Sequence, residues 1–557
     1  MQVTLIWRRF LCQFLKRFLS RFFYLCLMHK TRLGHEILGR LPDLAIRVLQ
    51  SDSALEGFYE PFEKNPDLSF LKAQQKHFSK EKREILVNAI RDQYKGLKDI
   101  PANIDQLSED HCMTVTTGHQ LNLFTGPIFS WYKIIDIIKI ARLWNQNTDN
   151  YHFVPVFWMA TEDHDFEEIN HFHCKGQQIH WPSKNKGAVG RMSTQGLDKV
   201  LQTWAAHLGN TPEADQLKLW FEEAYLNNKT LADATRYLLH KLFGKYGLIV
   251  LDADHAALKK IFAPIMAQEL QHQTLHSEAQ KTHADLQIAL QKKFSPQVTP
   301  RPVNLFYLQS QYRNRIDIDR EGYFVVDANQ KFTTKEILNH LDQHPENFSP
   351  NALMRPLYQE AILPNVAYVG GGAELAYWLQ LKDSFKAFEL KMPMLKLRSS
   401  VLLKTQKQEK KAQLLGLTDR DLFLESNALI NLRVRQISNI DIDLSSFKTQ
   451  LDEQFKSLYD LAQKTDASFL GAVAAQEKKQ KKGIDKLEQR LLKAQRRKLV
   501  DHIERAVDLQ RELFPMGQLQ ERFSNFSEFY LIYGDTFLPT LMEAIDPTDN
   551  DFLCLTF

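Results

Sequence analysis

The stretch FVPVFWMATEDHD, residues 153–165, decides the fold class. Its first eight residues are all apolar, which is typical of a strand buried on both faces in a parallel sheet, and the strand ends in an acidic loop. Upstream, the β-branched run MTVTT, residues 113–117, stops at Gly118, and a helical pattern follows from about residue 129 to 144. Strand, helix and strand together predict a βαβ unit and an α/β fold.

The sheet is expected to resume later in the chain. Residues 303–397 form a second α/β stretch, with strand-like segments at 304–308 and 365–369. Between the two stretches, residues at about 198–300 have helical periodicity around one further strand-like segment, 248–251. This order predicts a Rossmann-like, nucleotide-binding core that is interrupted by a helical insertion.

The chain is longer than one hydrophobic core usually organises, so more than one structural unit is expected. Residues 445–513 contain little glycine and no proline, and apolar residues such as Leu487 and Leu491 recur three or four apart. This pattern predicts two long helices folded as an antiparallel coiled coil. The remaining predicted segments are a helical lead-in at 28–110, the core at 111–400, a connector at 401–444 and a C-terminal segment at 514–557.

Residues 1–27 differ from the rest of the chain, because apolar residues at helical spacing are interrupted by arginine and lysine. No uninterrupted apolar stretch there is long enough to span a bilayer. One interpretation is a basic amphipathic helix lying on anionic lipid. The favoured alternative is a start codon placed too early, with Met28 as the true beginning, so membrane contact is not expected.

The overall charge and the cysteines exclude several classes of protein. With 71 basic and 67 acidic residues, no global field favours nucleic acid. The run KKQKK at 478–482 is better explained as a solvated helix face than as a nucleic-acid site. The five cysteines form no CxxC pair, which fits a reducing cytoplasm and argues against disulfides and thiolate zinc sites. Cys112 and Cys174 are candidate nucleophiles, although free cysteines more often act as small buried hydrophobes.

A first candidate site follows the first core strand, where open α/β sheets bind their ligands. Gly118 would let the backbone approach a phosphate or carboxylate, and His119 and Gln120 can donate hydrogen bonds to developing negative charge. A buried capping histidine is the alternative. The next turn and helix contribute further candidates for anion binding, Thr125, Gly126 and Lys133.

Glu162, Asp163, His164 and Asp165 form the most informative cluster, since four polar side chains that end a buried strand cannot all serve the core. A carboxylate beside an imidazole can position a base, bind an ammonium group or hold a metal. Adjacent residues on an extended chain point to opposite faces, so a metal site is not expected.

In the second half, Asn351, Arg355 and Gln359 are four apart and would share one helix face. Arg355 suits bidentate recognition of a carboxylate or phosphate, although a structural ion pair with Glu360 or another acid is an equal alternative.

A glycine-rich segment follows the strand-like residues 365–369. The amides of Gly370, Gly371 and Gly372 could cradle an anion while Glu374 holds a hydroxyl or amine. The spacing matches neither standard nucleotide-binding fingerprint.

Five motifs, together and in order, resemble the bacillithiol biosynthesis cysteine-adding family. They are residues 117–120, 124–127, 155–166, 355–360 and 363–378, and residues 513–522 resemble that family's carboxyl-terminal segment. The resemblance covers nearly the whole chain after Met28. It implies a Rossmann-like core with connecting-peptide insertions, related in architecture to nucleotidyltransferases, and a coiled coil that supports a homodimer.

The resemblance also implies an activity, the joining of cysteine to glucosaminyl malate through an amide bond. Residues 118–120 would take the place of the nucleotidyltransferase histidine signature, with one histidine instead of two, and residues 398–400 are a faint candidate for a second signature. ATP with Mg²⁺ is expected by that analogy. His119 and Gln120 would stabilise charge on the activated carboxyl, residues 162–165 would orient or deprotonate the amine, and Arg355 would pair with a malate carboxylate or a phosphate. The alternatives are a ligase of the same fold for another amine or thiol acceptor and a non-catalytic dimeric scaffold.

Overall fold

The computed structural model describes residues 28–557 except 77, 184, 185, 292, 293 and 466. The basic segment 1–27, with its two interpretations, lies outside the described residues.

The strands are β1 (His29–Leu33), β2 (Glu60–Pro61), β3 (Cys112–His119), β4 (His152–Met159), β5 (His171–Cys174), β6 (Gln177–His180), β7 (Ile249–Asp252), β8 (Leu305–Leu308), β9 (Arg313–Ile318), β10 (Tyr323–Val325), β11 (Lys331–Phe332), β12 (Phe348–Pro350), β13 (Asn365–Gly370), β14 (Met394–Leu397), β15 (Val401–Lys404) and β16 (Phe552–Thr556).

The α-helices are α1 (His35–Leu38), α2 (Asp43–Leu49), α3 (Leu68–Lys76), α4 (Lys80–Gln93), α5 (Asn103–Gln106), α6 (Phe129–Asn147), α7 (Phe166–Ile169), α8 (Leu197–Leu208), α9 (Pro212–Phe221), α10 (Leu231–Phe243), α11 (Ala256–His272), α12 (Thr274–Ala289), α13 (Thr334–Gln343), α14 (Arg355–Ile362), α15 (Gly372–Trp378), α16 (Lys382–Ala387), α17 (Gln406–Leu414), α18 (Asp419–Leu422), α19 (Ser426–Ile437), α20 (Ser445–Ala462), α21 (Ala467–Lys498), α22 (Val500–Leu513), α23 (Gln520–Phe523), α24 (Phe526–Tyr533) and α25 (Phe537–Ala544).

A six-stranded parallel sheet in the order β2-β14-β13-β3-β4-β7 forms the core. The chain runs from β3 through β4 to β7 in one direction and then places β13 on the other side of β3. This reversal beside β3 is a topological switch point, where ligands bind at the carboxyl ends of the strands. The predicted Rossmann-like α/β fold is confirmed.

A second, antiparallel sheet has the order β11-β10-β9-β8-β12. The strand-like segment 304–308, expected to resume the core sheet, belongs to this sheet as β8. The strand-like segment at 248–251, predicted to lie within a helical insertion, is present as β7 and belongs to the core sheet, where it pairs with β4. Both errors have one cause, because a short apolar strand pattern does not specify its partner strand.

The predicted helical lead-in also contains strands. The two-residue β2 pairs with β14 at the edge of the core sheet, and β1 lies in a small sheet of order β1-β16-β15. A two-residue strand has no detectable period, and the pairing of β1 with a strand near residue 550 leaves no local signal.

The chain divides into two compact units. The described residues up to Leu402 form the first unit together with Gln520–Leu555, and Leu403–Leu519 with Thr556–Phe557 form the second. Every helix among the described residues is too short or too polar to cross a lipid bilayer.

The second unit contains the predicted helical hairpin, formed by α20 and α21. Phe455, Ala462 and Val473 make its buried contact, and Lys448 and Lys481 form salt bridges across it to Asp485 and Asp452, each at 2.6 Å. The second helix ends at Lys498 rather than continuing to 513, and α22 then packs against α19. The predicted connector at 401–444 is therefore itself partly helical.

Candidate active site

A cleft of about 880 Å³ lies in the first unit at the carboxyl ends of β3, β4 and β13. Residues of β8, β9 and β12 form its opposite wall. Sequence patterns separated by more than 200 residues therefore meet at one place. The candidate residues that line the cleft are Gly118, His119, Gln120, Glu162, Asp163, Asn351, Arg355, Gly371, Gly372 and Glu374.

Thr125 and Gly126 lie outside the cleft lining, in a turn whose residues 124–126 all have positive φ. Asn525 holds this turn by donating from Nδ2 to the carbonyl oxygens of Phe124 at 2.8 Å and of Gly126 at 2.6 Å. A Cβ at position 126 would lie 2.5 Å from the side chain of Asn122, so glycine is required there. Neither residue contacts the cleft directly.

His119 ends β3 with its ring edge-on to Phe129, at a centroid distance of 4.9 Å. Burial, assisted by the nearby charge of Lys133, lowers the pKa of His119 to about 3. The imidazole is therefore neutral at physiological pH. Its Nε2 is buried and has no hydrogen-bond partner among the described residues, which leaves it available to a ligand.

Lys133 lies beneath the cleft rather than in its lining. It projects from α6, donates to the carbonyl oxygen of Gly118 at 2.9 Å and forms a short ion pair with Glu374. The hydroxyl of Tyr368 donates to the other oxygen of Glu374 at 2.6 Å. Burial raises the pKa of Glu374, but Lys133 outweighs this effect and leaves the pKa lowered. Glu374 is thus a fixed carboxylate at the start of α15, close to Gly370, which lies outside the lining.

Arg355, the first residue of α14, lies among aromatic rings. Its guanidinium carbon is 5.9 Å from the ring centroid of Trp158, 5.3 Å from that of Tyr368 and 5.9 Å from that of Trp378. Nη1 donates to Gln359 at 2.9 Å and the guanidinium also interacts with the Tyr377 hydroxyl, whereas the buried Nη2 makes no well-formed hydrogen bond within the described chain. An enclosed guanidinium with a free donor is suited to an anionic ligand.

The expected face of three residues is only partly present. Arg355 and Gln359 lie one turn apart on α14, but Asn351 precedes the helix and accepts hydrogen bonds from the amides of Leu353 and Met354. Glu360 is not the ion-pair partner of Arg355. It accepts hydrogen bonds from the side chains of Gln359 and Asn365.

Burial, opposed by those two hydrogen bonds, raises the pKa of Glu360 to about 8. Gln359 is buried behind Arg355 and does not line the cleft.

The acidic turn after β4 is anchored by a buried lysine. Lys259 lies 2.7 Å from Glu162 and 2.9 Å from Asp254, and Arg191 also pairs with Asp254, at 2.6 Å. All of these side chains except that of Arg191 are largely removed from solvent, so the turn is held by a closed charge network.

Asp163 accepts a hydrogen bond from Gln120 at 3.0 Å. Burial raises the pKa of Asp163, but hydrogen bonds from His164 and Gln120 and the charge of Arg313 bring it well below its usual range. Gln120 also donates to Glu168, at 2.6 Å. His164 and Asp165 are exposed beside the cleft and are not part of its lining.

The two candidate cysteine nucleophiles are buried in the first unit, outside the cleft lining. Burial raises the pKa of Cys112 to about 12 and also raises that of Cys174, so both stay protonated thiols. Across the described part of the chain, no group of three or more His, Cys, Asp or Glu side chains is placed to hold a metal ion.

Sequence reasoning missed most of the arginines of the cleft. Six arginines line it against three carboxylates, Glu162, Asp163 and Glu374, so the cleft is suited to anionic ligands. One signal was available, because Arg313 and Arg315 are two apart and therefore share a face of β9. Arg522 lies near the carboxyl end of the sequence, where no local pattern indicates that it reaches the cleft. The arginines are Arg301, Arg313, Arg315, Arg355, Arg398 and Arg522.

Comparisons with known proteins agree with this architecture. The family model "Bacillithiol biosynthesis BshC, N-terminal Rossmann-like domain" matches residues 35–399, and "Bacillithiol biosynthesis BshC, C-terminal coiled-coil domain" matches residues 401–557. A protein of Christiangramia forsetii named "Putative cysteine ligase BshC" is 47% identical over 526 residues, covering 92% of this chain and 96% of the relative.

Two relatives with the same printed name come from Flavobacterium species. The Flavobacterium johnsoniae protein is 45% identical over 94% of this chain and 99% of its own length. The Flavobacterium psychrophilum protein is 43% identical over 93% of this chain and 98% of its own length. The resemblance seen in the sequence motifs is confirmed, and the chain belongs to the bacillithiol biosynthesis BshC family.

Proposed function

We propose that this protein is a ligase that joins the carboxyl group of cysteine to the amine of glucosaminyl malate in bacillithiol biosynthesis. The printed name of its relatives supports the reaction class. The arginine-rich cleft at the switch point carries the proposal, because cysteine and a malate conjugate both present carboxylates.

Each proposed role follows from the state of a side chain. His119 is neutral with a free Nε2, so in its Nε2–H form it can donate a hydrogen bond where negative charge develops on the cysteine carboxyl. Asp163 remains a carboxylate and, with Glu162, can receive the acceptor's ammonium group before it loses its proton. Arg355 offers Nη2 to a malate carboxylate or a phosphate.

ATP with Mg²⁺ is proposed as the source of activation. The guanidinium groups of Arg398 and Arg522 lie 5.0 and 5.7 Å from the ring centroid of Phe129, and Arg522 has no ion-pair partner among the described side chains. Arg398 is already paired with Glu521 at 2.7 Å, so Arg522 is the guanidinium of the two that is available to a triphosphate. Mg²⁺ needs few protein carboxylates when it binds through phosphates. When bound, ATP would supply the leaving group that activates the cysteine carboxyl.

The direct test is to incubate the purified protein with cysteine, glucosaminyl malate, ATP and Mg²⁺ and to measure the thiol amide by mass spectrometry. We expect product only when all four are present. Glucosamine without malate serves as the matched acceptor, and its equal use would favour a ligase for another amine. Absence of product with every amine acceptor, from folded protein, would favour the non-catalytic scaffold.

We also propose that the helical hairpin joins two copies of the chain. Phe447 on α20 and Leu487 on α21 are each 57% exposed, and Lys448 reaches Asp485, so they lie at the same level of the hairpin. Leu491, one helical turn after Leu487, packs against the cluster of Ile430 and Val434 and is therefore not part of this exposed surface. A symmetric dimer would cover the exposed pair on both copies.

Substitution of Phe447 and Leu487 by lysine should yield monomers, because a twofold interface would then contain four uncompensated charges. Sedimentation velocity at micromolar concentration would measure the mass. The control is Gln454→Lys with Gln489→Lys, which adds the same charge at exposed polar positions of the same helices. A Phe447/Leu487 variant that stays dimeric would move the interface elsewhere.

A further inference from the structure

Arg313 connects the antiparallel sheet to the acidic turn after β4. Its Nε donates to Ser349 Oγ at 2.9 Å and its Nη2 to the carbonyl oxygen of Pro350 at 2.7 Å. Its guanidinium carbon lies 4.0 Å from the ring centroid of Phe306. Three contacts on one wall of the cleft therefore fix the position of this buried side chain before it reaches the other wall.

The third guanidinium nitrogen of Arg313, Nη1, lies 3.2 Å from Nδ1 of His164. A guanidinium has five N–H donors and no acceptor, and it stays protonated in proteins. At this contact Nδ1 must therefore be the acceptor. A neutral imidazole carries one N–H group, so the proton of His164 is placed on Nε2.

The neighbouring carboxylate does not reverse this assignment. Asp163 Oδ1 is 3.6 Å from Nδ1 of His164, a distance at which a protonated ring would form an ion pair but which is longer than the 3.2 Å contact with Arg313. The same oxygen instead accepts the backbone N–H of His164 at 2.8 Å. Arg313 is thus the closer polar partner of Nδ1.

We propose that Arg313 is a positioning residue that holds His164 in the Nε2–H form, so that His164 acts on the substrate as a hydrogen-bond donor and not as a base. The protonated form of His164 does not depend on the proposed function, whereas its role as a donor to the substrate rests on that function. His164 stands beside Asp163 and Arg313, which both line the cleft, and half of its side chain is exposed. Its Nε2–H is suited to an oxygen of a carboxylate or carbonyl group.

Nitrogen NMR of the full-length protein labelled with ¹⁵N-histidine tests the proposal without any enzymatic activity. We expect Nδ1 of His164 to resonate as an unprotonated, pyridine-type nitrogen at neutral pH and Nε2 as a protonated one. The spectrum of His164→Gln assigns the signals. An Nδ1–H form or a doubly protonated ring at neutral pH would overturn the proposal, whether or not the protein makes the thiol amide.

Two arginine variants test whether Arg313 sets the protonated form. In Arg313→Met, Asp163 is left as the nearest polar partner of Nδ1, so a proton should appear on Nδ1 of His164. Arg315→Met, on the same strand without a contact to His164, should leave the His164 signals unchanged. Unchanged signals in a folded Arg313→Met protein would overturn the positioning role. If that variant fails to fold, the spectrum of the unmodified protein still shows whether His164 carries its proton on Nε2, and an Nδ1–H form there overturns the proposal.

Kinetics separate a donor from a base. The amide of glutamine can take the place of Nε2–H, so His164→Gln should keep kcat/KM within about tenfold, whereas His164→Leu should lose about 100-fold. Equal losses in both variants would indicate that proton acceptance is the needed property and would overturn the donor role.

Discussion

Replacement of Arg355 by lysine should lower kcat/KM for amide formation by at least about 100-fold, the effect expected when a charged hydrogen-bond donor is removed from a desolvated site. Lysine keeps the charge but lacks the planar fork that lies among Trp158, Tyr368 and Trp378. A lysine at position 355 cannot donate to Gln359 and to a ligand at the same time in the directions that the guanidinium provides. Steady-state kinetics with the acceptor varied at saturating cysteine and ATP would measure the loss.

The matched control is Arg91→Lys, in an exposed ion pair with Asp105 in the same unit. Exposed pairs contribute little, so kcat/KM should be unchanged. Circular dichroism would show that both variants fold. If Arg355→Lys kept kcat/KM within about threefold, the guanidinium would not bind substrate, and the role proposed for Arg355 would have to be abandoned.

A chain of hydrogen bonds through uncharged side chains fixes the position of Arg355 on the side away from the cleft. Gln359 connects it to Glu360, which accepts from Asn365, and Asn365 in turn accepts from the hydroxyl of Thr116 on β3 at 2.8 Å. The raised pKa of Glu360 keeps a second charge out of this chain. The guanidinium is therefore held by the same strand that presents His119.

The sequence was informative wherever a signal was local. The apolar run 153–160 and the β-branched run 113–117 predicted adjacent parallel strands, and β3 and β4 pair along their full length. Because both strands end in polar residues, the sequence also placed the candidate site at their carboxyl ends. The periodicity of residues 445–498 similarly predicted the hairpin of α20 and α21.

The sequence was uninformative where partners are distant in the chain. Nothing local shows that residues 305–350 form an antiparallel sheet, or that Arg313 on that sheet reaches His164. The turn at 124–126 depends on Asn525, about 400 residues later. Such contacts bury polar groups against specific partners, and a partner that distant leaves no periodic pattern for sequence reasoning to detect.

Replacement of Lys259 by methionine should have the largest effect on stability, a loss of about 3–5 kcal/mol in the free energy of unfolding. Methionine fills a similar volume but leaves Glu162 and Asp254 without their shared cation. Arg191 would remain in an ion pair with Asp254, and Arg313 would act on both carboxylates only through longer-range charge interactions. Seven of the chain's eight tryptophans lie between residues 131 and 378, in the unit that contains Lys259, and residues 403–519 contain none. Tryptophan fluorescence in urea therefore reports on the unit that contains Lys259.

The neighbouring residue provides the control, since Lys260 forms an exposed pair with Asp342 and Lys260→Met should cost less than about 1 kcal/mol. Adding Glu162→Gln to Lys259→Met removes one unpaired charge and should raise the urea midpoint above that of Lys259→Met alone.

Burial raises the pKa of Asp254, but Lys259 and Arg191 outweigh it and hold the pKa below 3.8. The stabilisation from that carboxylate is thus present above pH 3.8 and is lost as the pH falls, so the difference between unmodified protein and Lys259→Met should narrow in acid. Equal midpoints for Lys259→Met and Lys260→Met at pH 7 would mean that the buried network does not stabilise the acidic turn.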